Sequence, residues 1–313
     1  MKNFKGVYPV IVTPMKENYE VNYEGLKENI NYFIKQKVSG LIINGSTGEF
    51  VSLTEEEKEE IIKTVVSAVN GEFPIIVGTA SEYTNDAIRL TQTAEKLGAD
   101  GVLVINSYYA HPTDEEVYHQ FKDIADSTSL PVMIYNNPFT SGIDISQDTL
   151  IDLGNNVKNI THLKESSGSI QKLRDIHYAT GDNLTLFCGS DDLAFESFVM
   201  GAKGWVSVAG NLAPNLAKQL YEKIQSKEFE EAHEIYKKLL PLLQFIEDSG
   251  KYVQIVKAGM EIKGLNGGPS RPPRRSLKEE EIKGLNGGPS RPPRRSLKEE
   301  EINKLKKIMT TLN

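Results

Sequence analysis

The stretch GVLVINSYYAHPTDEEVYHQFKDIADSTSLPVMIY, residues 101–135, decides the fold. It opens on one apolar run of strand length, Gly101–Ile105, and closes on another, Pro131–Tyr135. Both are continuous rather than alternating, as expected of strands buried on both faces of a parallel sheet. Between them Thr113, followed three residues on by Glu116, reads as a capping box and starts a helix.

Working outward, the same unit repeats. Further strands are expected at Gly6–Thr13, Leu41–Asn44, Pro74–Gly78, Ile160–Lys164, Leu184–Cys188 and Gly204–Val208. Thr54 and Glu57 make a second capping box, and Ile61, Ile62, Val65, Val66 and Val69 give the helix behind it an apolar stripe. Gly98 and Gly181 sit where helices should end. Eight strand-and-helix units of even length predict an α/β fold of the (β/α)8 TIM-barrel type. A doubly wound sheet would want a Gly-rich first turn, which this sequence lacks. Helices expected at Leu216–Ser226, Phe229–Asp248 and Tyr252–Ile262 follow the eighth unit without a linker. The expected organisation is a barrel over residues 1–225 with a helical C-terminal extension over 226–313, packed on its side.

Composition bounds the rest. The chain has 313 residues, 39% hydrophobic and 25% charged, enough to bury a sizeable core and too apolar for disorder. No apolar run approaches the ~18 residues of a membrane helix, and Lys2 and Lys5 are not followed by a cleavable signal. Cys188 is the one cysteine, so no disulfide framework or Cys-based metal site is expected and the cytoplasm suits the chain. A net charge of −7 argues against a general nucleic-acid or anionic-membrane partner. One oddity stands out: EIKGLNGGPSRPPRRSLKEE, residues 261–280, recurs unchanged as residues 281–300. Two identical copies at one end read as a recent tandem duplication or an artificial one rather than a solenoid. Its SRPPRRS segment could be a polyanion patch, but the acidic whole favours a solvated Pro-rich connector.

In a TIM barrel the reactive face lies at the carboxyl ends of the strands. There this sequence places Asn44-Gly45-Ser46-Thr47-Gly48-Glu49, Ser107-Tyr108-Tyr109, Tyr135-Asn136-Asn137-Pro138, Lys164-Glu165-Ser166, Gly189-Ser190-Asp191-Asp192 and Val206-Ser207. Lys164 is the outlier, since a lysine in barrel wall is costly unless used. Partial desolvation would favour a neutral amine able to attack a carbonyl. The bland alternative is a strand-end lysine paired to Glu165 or to an aspartate of the seventh strand. Tyr135 and Tyr109 could shuttle protons, or could be wall residues with wet hydroxyls. The Gly45–Glu49 turn offers hydroxyls and backbone amides to a carboxylate or oxyanion. The five histidines show no ligand spacing, and no HExxH, Walker A loop or GxGxxG follows a strand, so no metal or bound cofactor is expected. His162 reads as a core residue.

These motifs, together with Tyr108-Tyr109-x-x-Pro112, Lys164-Glu165-Ser166-Ser167-Gly168 and a Gly-Pro-x-Arg-Pro-Pro segment near the C-terminus, closely resemble the dihydrodipicolinate synthase / N-acetylneuraminate lyase family, in order from about Phe4 onward. The resemblance implies a pyruvate-handling class I lyase that works through a covalent imine and needs no cofactor. It implies that Lys164 forms the Schiff base, that Tyr135 shuttles protons, and that Ser46 relays them to Tyr109, which reaches into a neighbouring subunit. Thr47 would clamp the pyruvate carboxylate, and Val206 would offer its carbonyl near the imine. The family's usual assembly is a homotetramer, a dimer of dimers.

The second substrate, a small aldehyde, divides the readings. Lysine-pathway synthases usually carry an arginine where Thr140 stands here, and a threonine cannot supply a carboxylate-matched fork. That favours a 2-keto-3-deoxy sugar acid or sialic acid, with Gly189, Asp191 and Asp192 as further contacts in the mouth. Ser46 leans the same way, while Cys188–Asn211 reads more like a synthase condensing pyruvate with aspartate semialdehyde. Glu55 and Lys58 stand where some synthases place histidines of a lysine-feedback site, so no such inhibition is expected. A keto-acid sensor without catalysis is the remaining alternative, motivated by the duplicated tail.

Overall fold

The computed structural model describes residues 4–274 and 299–311. Eight parallel strands form one sheet: β1 (Gly6–Pro9), β2 (Leu41–Ile43), β3 (Ile75–Gly78), β4 (Gly101–Ile105), β5 (Val132–Asn136), β6 (Ile160–Glu165), β7 (Thr185–Cys188) and β8 (Gly204–Ser207). Their order is β1-β8-β7-β6-β5-β4-β3-β2. The two ends meet at Val10, which bridges to Ile42 while its N–H donates to Ser207 O at 3.0 Å; Ile11 N–H then donates to Ile42 O, also at 3.0 Å. The sheet therefore closes as a (β/α)8 barrel. β1 ends at Pro9 rather than Thr13 because the chain changes partner there, leaving β8 for β2.

The two-residue side-chain period sorts each apolar run into two layers. Tyr8, Ile42, Ile76, Leu103, Met133, Phe187 and Val206 fill the barrel, while Leu41, Ile43, Val102, Val104, Ile134, Leu163 and Leu186 pack outward against the helices. Each such side chain contributes about 1.5–3 kcal/mol on burial, which is why these strands tolerate almost no polar residue. His162 belongs to the interior as well. Its Nε2 accepts from Phe4 N–H at 3.2 Å, its ring lies 4.9 Å from that of Phe4, and burial pushes its pKa down to about 3, so it is a neutral core residue.

Both capping boxes form, on Thr54 with Glu57 and on Thr113 with Glu116. Beyond the barrel, helices run over Pro214–Gln225, Phe229–Asp248 and Tyr252–Ile262, and a last helix, Glu299–Thr311, buries Leu305, Ile308 and Met309.

The described part of the first repeat copy corrects the reading of a solvated connector only in part, since Pro272 and Pro273 are exposed while Ser270, Arg271 and Arg274 are not. Residues 261–274 lie against the barrel: Asn29 Nδ2 donates to Asn266 O at 2.7 Å, and Arg271 Nη1 pairs with Glu57 at 2.6 Å. Arg271 also donates to the carbonyls of Tyr19 and Ser52 at 2.8–2.9 Å. Acidic and carbonyl partners on the barrel thus hold the basic segment, which leaves Arg271 no part in a polyanion patch. Residues 281–298 and the end of the first copy lie outside the described residues.

Candidate active site

The register across β5, β6 and β7 sets Tyr135 beside Lys164 and Lys164 beside Phe187. Lys164 is buried, and its Nζ lies 3.7 Å from the centroid of the Tyr135 ring. Its side chain needs room that only a glycine leaves: a Cβ on Gly189 would sit 2.9 Å from both Cγ and Cε of Lys164 and 1.9 Å from Ser166 Oγ. The structural alternative for the lysine fails on its partners. Glu165 accepts from Asn136 Nδ2 at 2.9 Å and from Ser167 N–H at 2.6 Å, with burial pushing its carboxyl upward. Asp191 accepts from Trp205 Nε1 at 2.8 Å, Val208 N–H at 3.1 Å and Ala209 N–H at 2.5 Å. Both carboxylates are engaged elsewhere, and among the described residues none pairs with Lys164.

Asp191 is thereby removed from the expected substrate contacts. It is 1% exposed, its oxygens hold the end of β8 in place, and burial pushes its pKa up to about 6. Asp192 stays partly exposed; desolvation, then the charge of Asp248, raises its carboxyl. Sequence reasoning missed Glu247, which ends a C-terminal helix and accepts from Asp191 N–H at 3.1 Å. Only the fold brings that helix to the mouth.

The turn after β2 carries Ser46 and Thr47. Thr47 is buried, Ser46 half-buried, and Ser46 shares a small pocket with Ala80, Leu103 and Tyr135. Among the described residues the backbone N–H groups of Ser46 and Thr47 meet no acceptor, so they remain available to an anion. The turn is held from behind. Thr13 Oγ1 donates to Gly48 O at 2.8 Å, and Glu49, fully buried and in the left-handed region at φ 60°, pairs with Lys257 at 2.5 Å. Burial pushes the Lys257 ammonium down, against the pull of Glu49. Arg271 N–H, at 3.1 Å, and Arg274, at 3.6 Å, complete the set around Glu49. Lys257 carried no signal, since a lysine on an amphipathic helix reads as solvent-facing.

Tyr109 stands apart from this cluster. It is 86% exposed on its loop, which Glu82 fastens by accepting from Tyr109 N–H at 3.0 Å, Tyr108 N–H at 3.2 Å and Ser107 Oγ at 2.8 Å. Within one chain, then, Lys164 lies on the Tyr135 ring, Ser46 lines a pocket with Tyr135, and Val206 packs in the same interior cluster as Tyr135, whereas Tyr109 points out to solvent. Thr140 is exposed on the one-turn helix Pro138–Ser141, and Glu55 is taken up by Arg89 at 2.6 Å.

A closed barrel with a buried lysine at the mouth, laid on a tyrosine ring and without an ion-pair partner among the described residues, has the layout of a class I aldolase. The sequence matches the dihydrodipicolinate synthetase family over residues 3–288, and the chain belongs to that family of pyruvate-dependent class I lyases. It is 37% identical to a 4-hydroxy-tetrahydrodipicolinate synthase of Methanocaldococcus jannaschii, covering 88% of this chain and 94% of that one. It is 34% identical to the same-named protein of Oceanobacillus iheyensis, covering 89% and 94%. Among solved structures, the synthase of Methylacidiphilum fumariolicum SolV superposes with a TM-score of 0.89 at 30% identity, covering 99% of this chain and 96% of that one. No helix among the described residues is long and apolar enough to cross a membrane.

Proposed function

We propose that Lys164 attacks the ketone of pyruvate, loses water to form an imine, and so makes C3 acidic enough to give up a proton. The enamine that results adds to an aldehyde, and hydrolysis of the new imine releases the product and restores the lysine. Tyr135 carries the protons, Ser46 relays them, and Thr47 with its neighbouring turn amides holds the pyruvate carboxylate. The observation that carries this reading is the Lys164 amine, buried, with no ion pair among the described residues and 3.7 Å from the Tyr135 ring.

For the aldehyde, the names of the relatives favour aspartate semialdehyde, and with it the 4-hydroxy-tetrahydrodipicolinate synthase reaction, over the sugar-acid cleavage expected from Thr140. Thr140 itself keeps the second reading alive, because its exposed hydroxyl stands where a guanidinium would hold a second carboxylate. The test compares kcat/KM for condensation of pyruvate with aspartate semialdehyde against pyruvate release from 2-keto-3-deoxygluconate and N-acetylneuraminate. Faster condensation is the expected result; preference for a sugar acid overturns the assignment of the aldehyde.

Assembly follows from Tyr109. To relay protons it must enter another subunit, and Val51, Tyr83 and Phe139, which follow β2, β3 and β5, are also exposed apolar residues. One solved relative is described as a monomeric dihydrodipicolinate synthase variant, so association is a property to be measured for each chain. Sedimentation should show an oligomer, with an active monomer as the contrary result.

A further inference from the structure

Tyr135 has a neighbour in the sequence that its proposed role had left idle. Asn137 directly follows β5 and caps the one-turn helix Pro138–Ser141. Its Oδ1 accepts from Thr140 N–H at 3.2 Å, and its Nδ2 lies 2.7 Å from Tyr135 Oη. The orientation of the amide is forced. A backbone N–H can only donate, so the side-chain oxygen must face Thr140 and the NH2 must face the phenol. Tyr135 Oη is therefore the acceptor in this bond. Its own proton is left to point elsewhere, and the pocket it lines also holds Ser46.

We propose that Asn137 is a positioning residue for the reaction: it fixes the Tyr135 hydroxyl as an acceptor on one side, so that the phenolic proton is delivered into the mouth. The bond works in both halves of a proton shuttle. It orients the O–H while the phenol is protonated, and it steadies the oxygen with an N–H once the proton has left. With Lys164 against the ring face, the tyrosine is held at its ring and at its hydroxyl.

The inference rests on the proposed function, because it gives Asn137 work only if Tyr135 moves protons for an imine. Two readouts that need pyruvate alone separate the two. Borohydride trapping reports imine formation, and exchange of pyruvate C3 hydrogens with deuterium in D2O, followed by proton NMR, reports the proton transfer. The informative variant is Asn137→Asp. It keeps the volume and caps the helix as well as asparagine does, yet it presents an acceptor to Tyr135 and draws the phenolic proton away from the mouth. Expected are an unchanged melting temperature, a full pyruvate adduct at saturating pyruvate, and C3 exchange slowed roughly tenfold or more. Asn137→Ala, which removes donor and cap together, should slow exchange roughly 3- to 10-fold, the worth of one neutral hydrogen bond. C3 exchange at the wild-type rate in the Asp variant, or in the Ala variant should the Asp variant melt early, overturns the role of Asn137 while leaving the lysine chemistry standing. A wild-type protein that forms no adduct overturns the proposed function itself, and this inference with it.

Discussion

Glu49 and Lys257 meet at 2.5 Å with both side chains buried, and they join the turn that carries Ser46 and Thr47 to a helix near the far end of the chain. Arg271 and Arg274 of the first repeat copy close on the same carboxylate. The C-terminal segment therefore braces the turn proposed to hold the pyruvate carboxylate, in a left-handed conformation that Glu49 would not hold unaided.

Removing one member of that pair leaves a buried charge short of its partner. Lys257→Met should cost on the order of 3–5 kcal/mol of stability in urea unfolding, the usual penalty for an orphaned buried ion. Because the proposed clamp at Thr47 and the proposed relay at Ser46 both ride on this turn, the pyruvate KM should rise and kcat should fall together. A loss under about 1 kcal/mol would show that the brace is dispensable.

Gly189 offers a sharper test of the mouth. A methyl group there would overlap Ser166 Oγ at 1.9 Å and crowd Lys164 at 2.9 Å. Gly189→Ala should still fold, with an overpacking cost of about 1–3 kcal/mol, but should slow imine trapping roughly tenfold by displacing the amine. Trapping at the wild-type rate would mean that the lysine does not use the space the glycine leaves.

Asp191 should make stability depend on pH in the sense opposite to a salt-bridged carboxylate. Its folded pKa, about 6, stands above the ordinary aspartate value, so the folded state binds the proton more tightly than the unfolded chain does. That contribution is complete below the unfolded value and is lost as pH rises through about 6. The unfolding free energy of the wild type, measured against Asp191→Asn, should therefore fall between about pH 4 and pH 7. A difference that stays flat or grows over that window contradicts the burial argument.

How much of this the sequence carried depended on range. β4, Phe229–Asp248 and Tyr252–Ile262 have the bounds expected from periodicity and caps, because those signals are local. Lys164 was visible as a charge inside an apolar strand, and the two-residue period then aimed it into the barrel with Tyr135. Asp191 misled, because a strand-end aspartate looks the same whether it turns to solvent or, as here, to the Trp205 indole and two backbone amides. Lys257, Glu247 and Glu82 act across long sequence separations, where no spacing rule applies. Asn137 was within reach of the sequence but silent, since its meaning lies in which amide atom faces the phenol.

The central claim is that Lys164 forms an imine with pyruvate. Incubation with pyruvate and borohydride, followed by peptide mass mapping, tests it most directly. The account predicts one pyruvyl adduct per chain, on the peptide containing Lys164, and none in Lys164→Ala. No adduct, or an adduct on another lysine that survives Lys164→Ala, would contradict it.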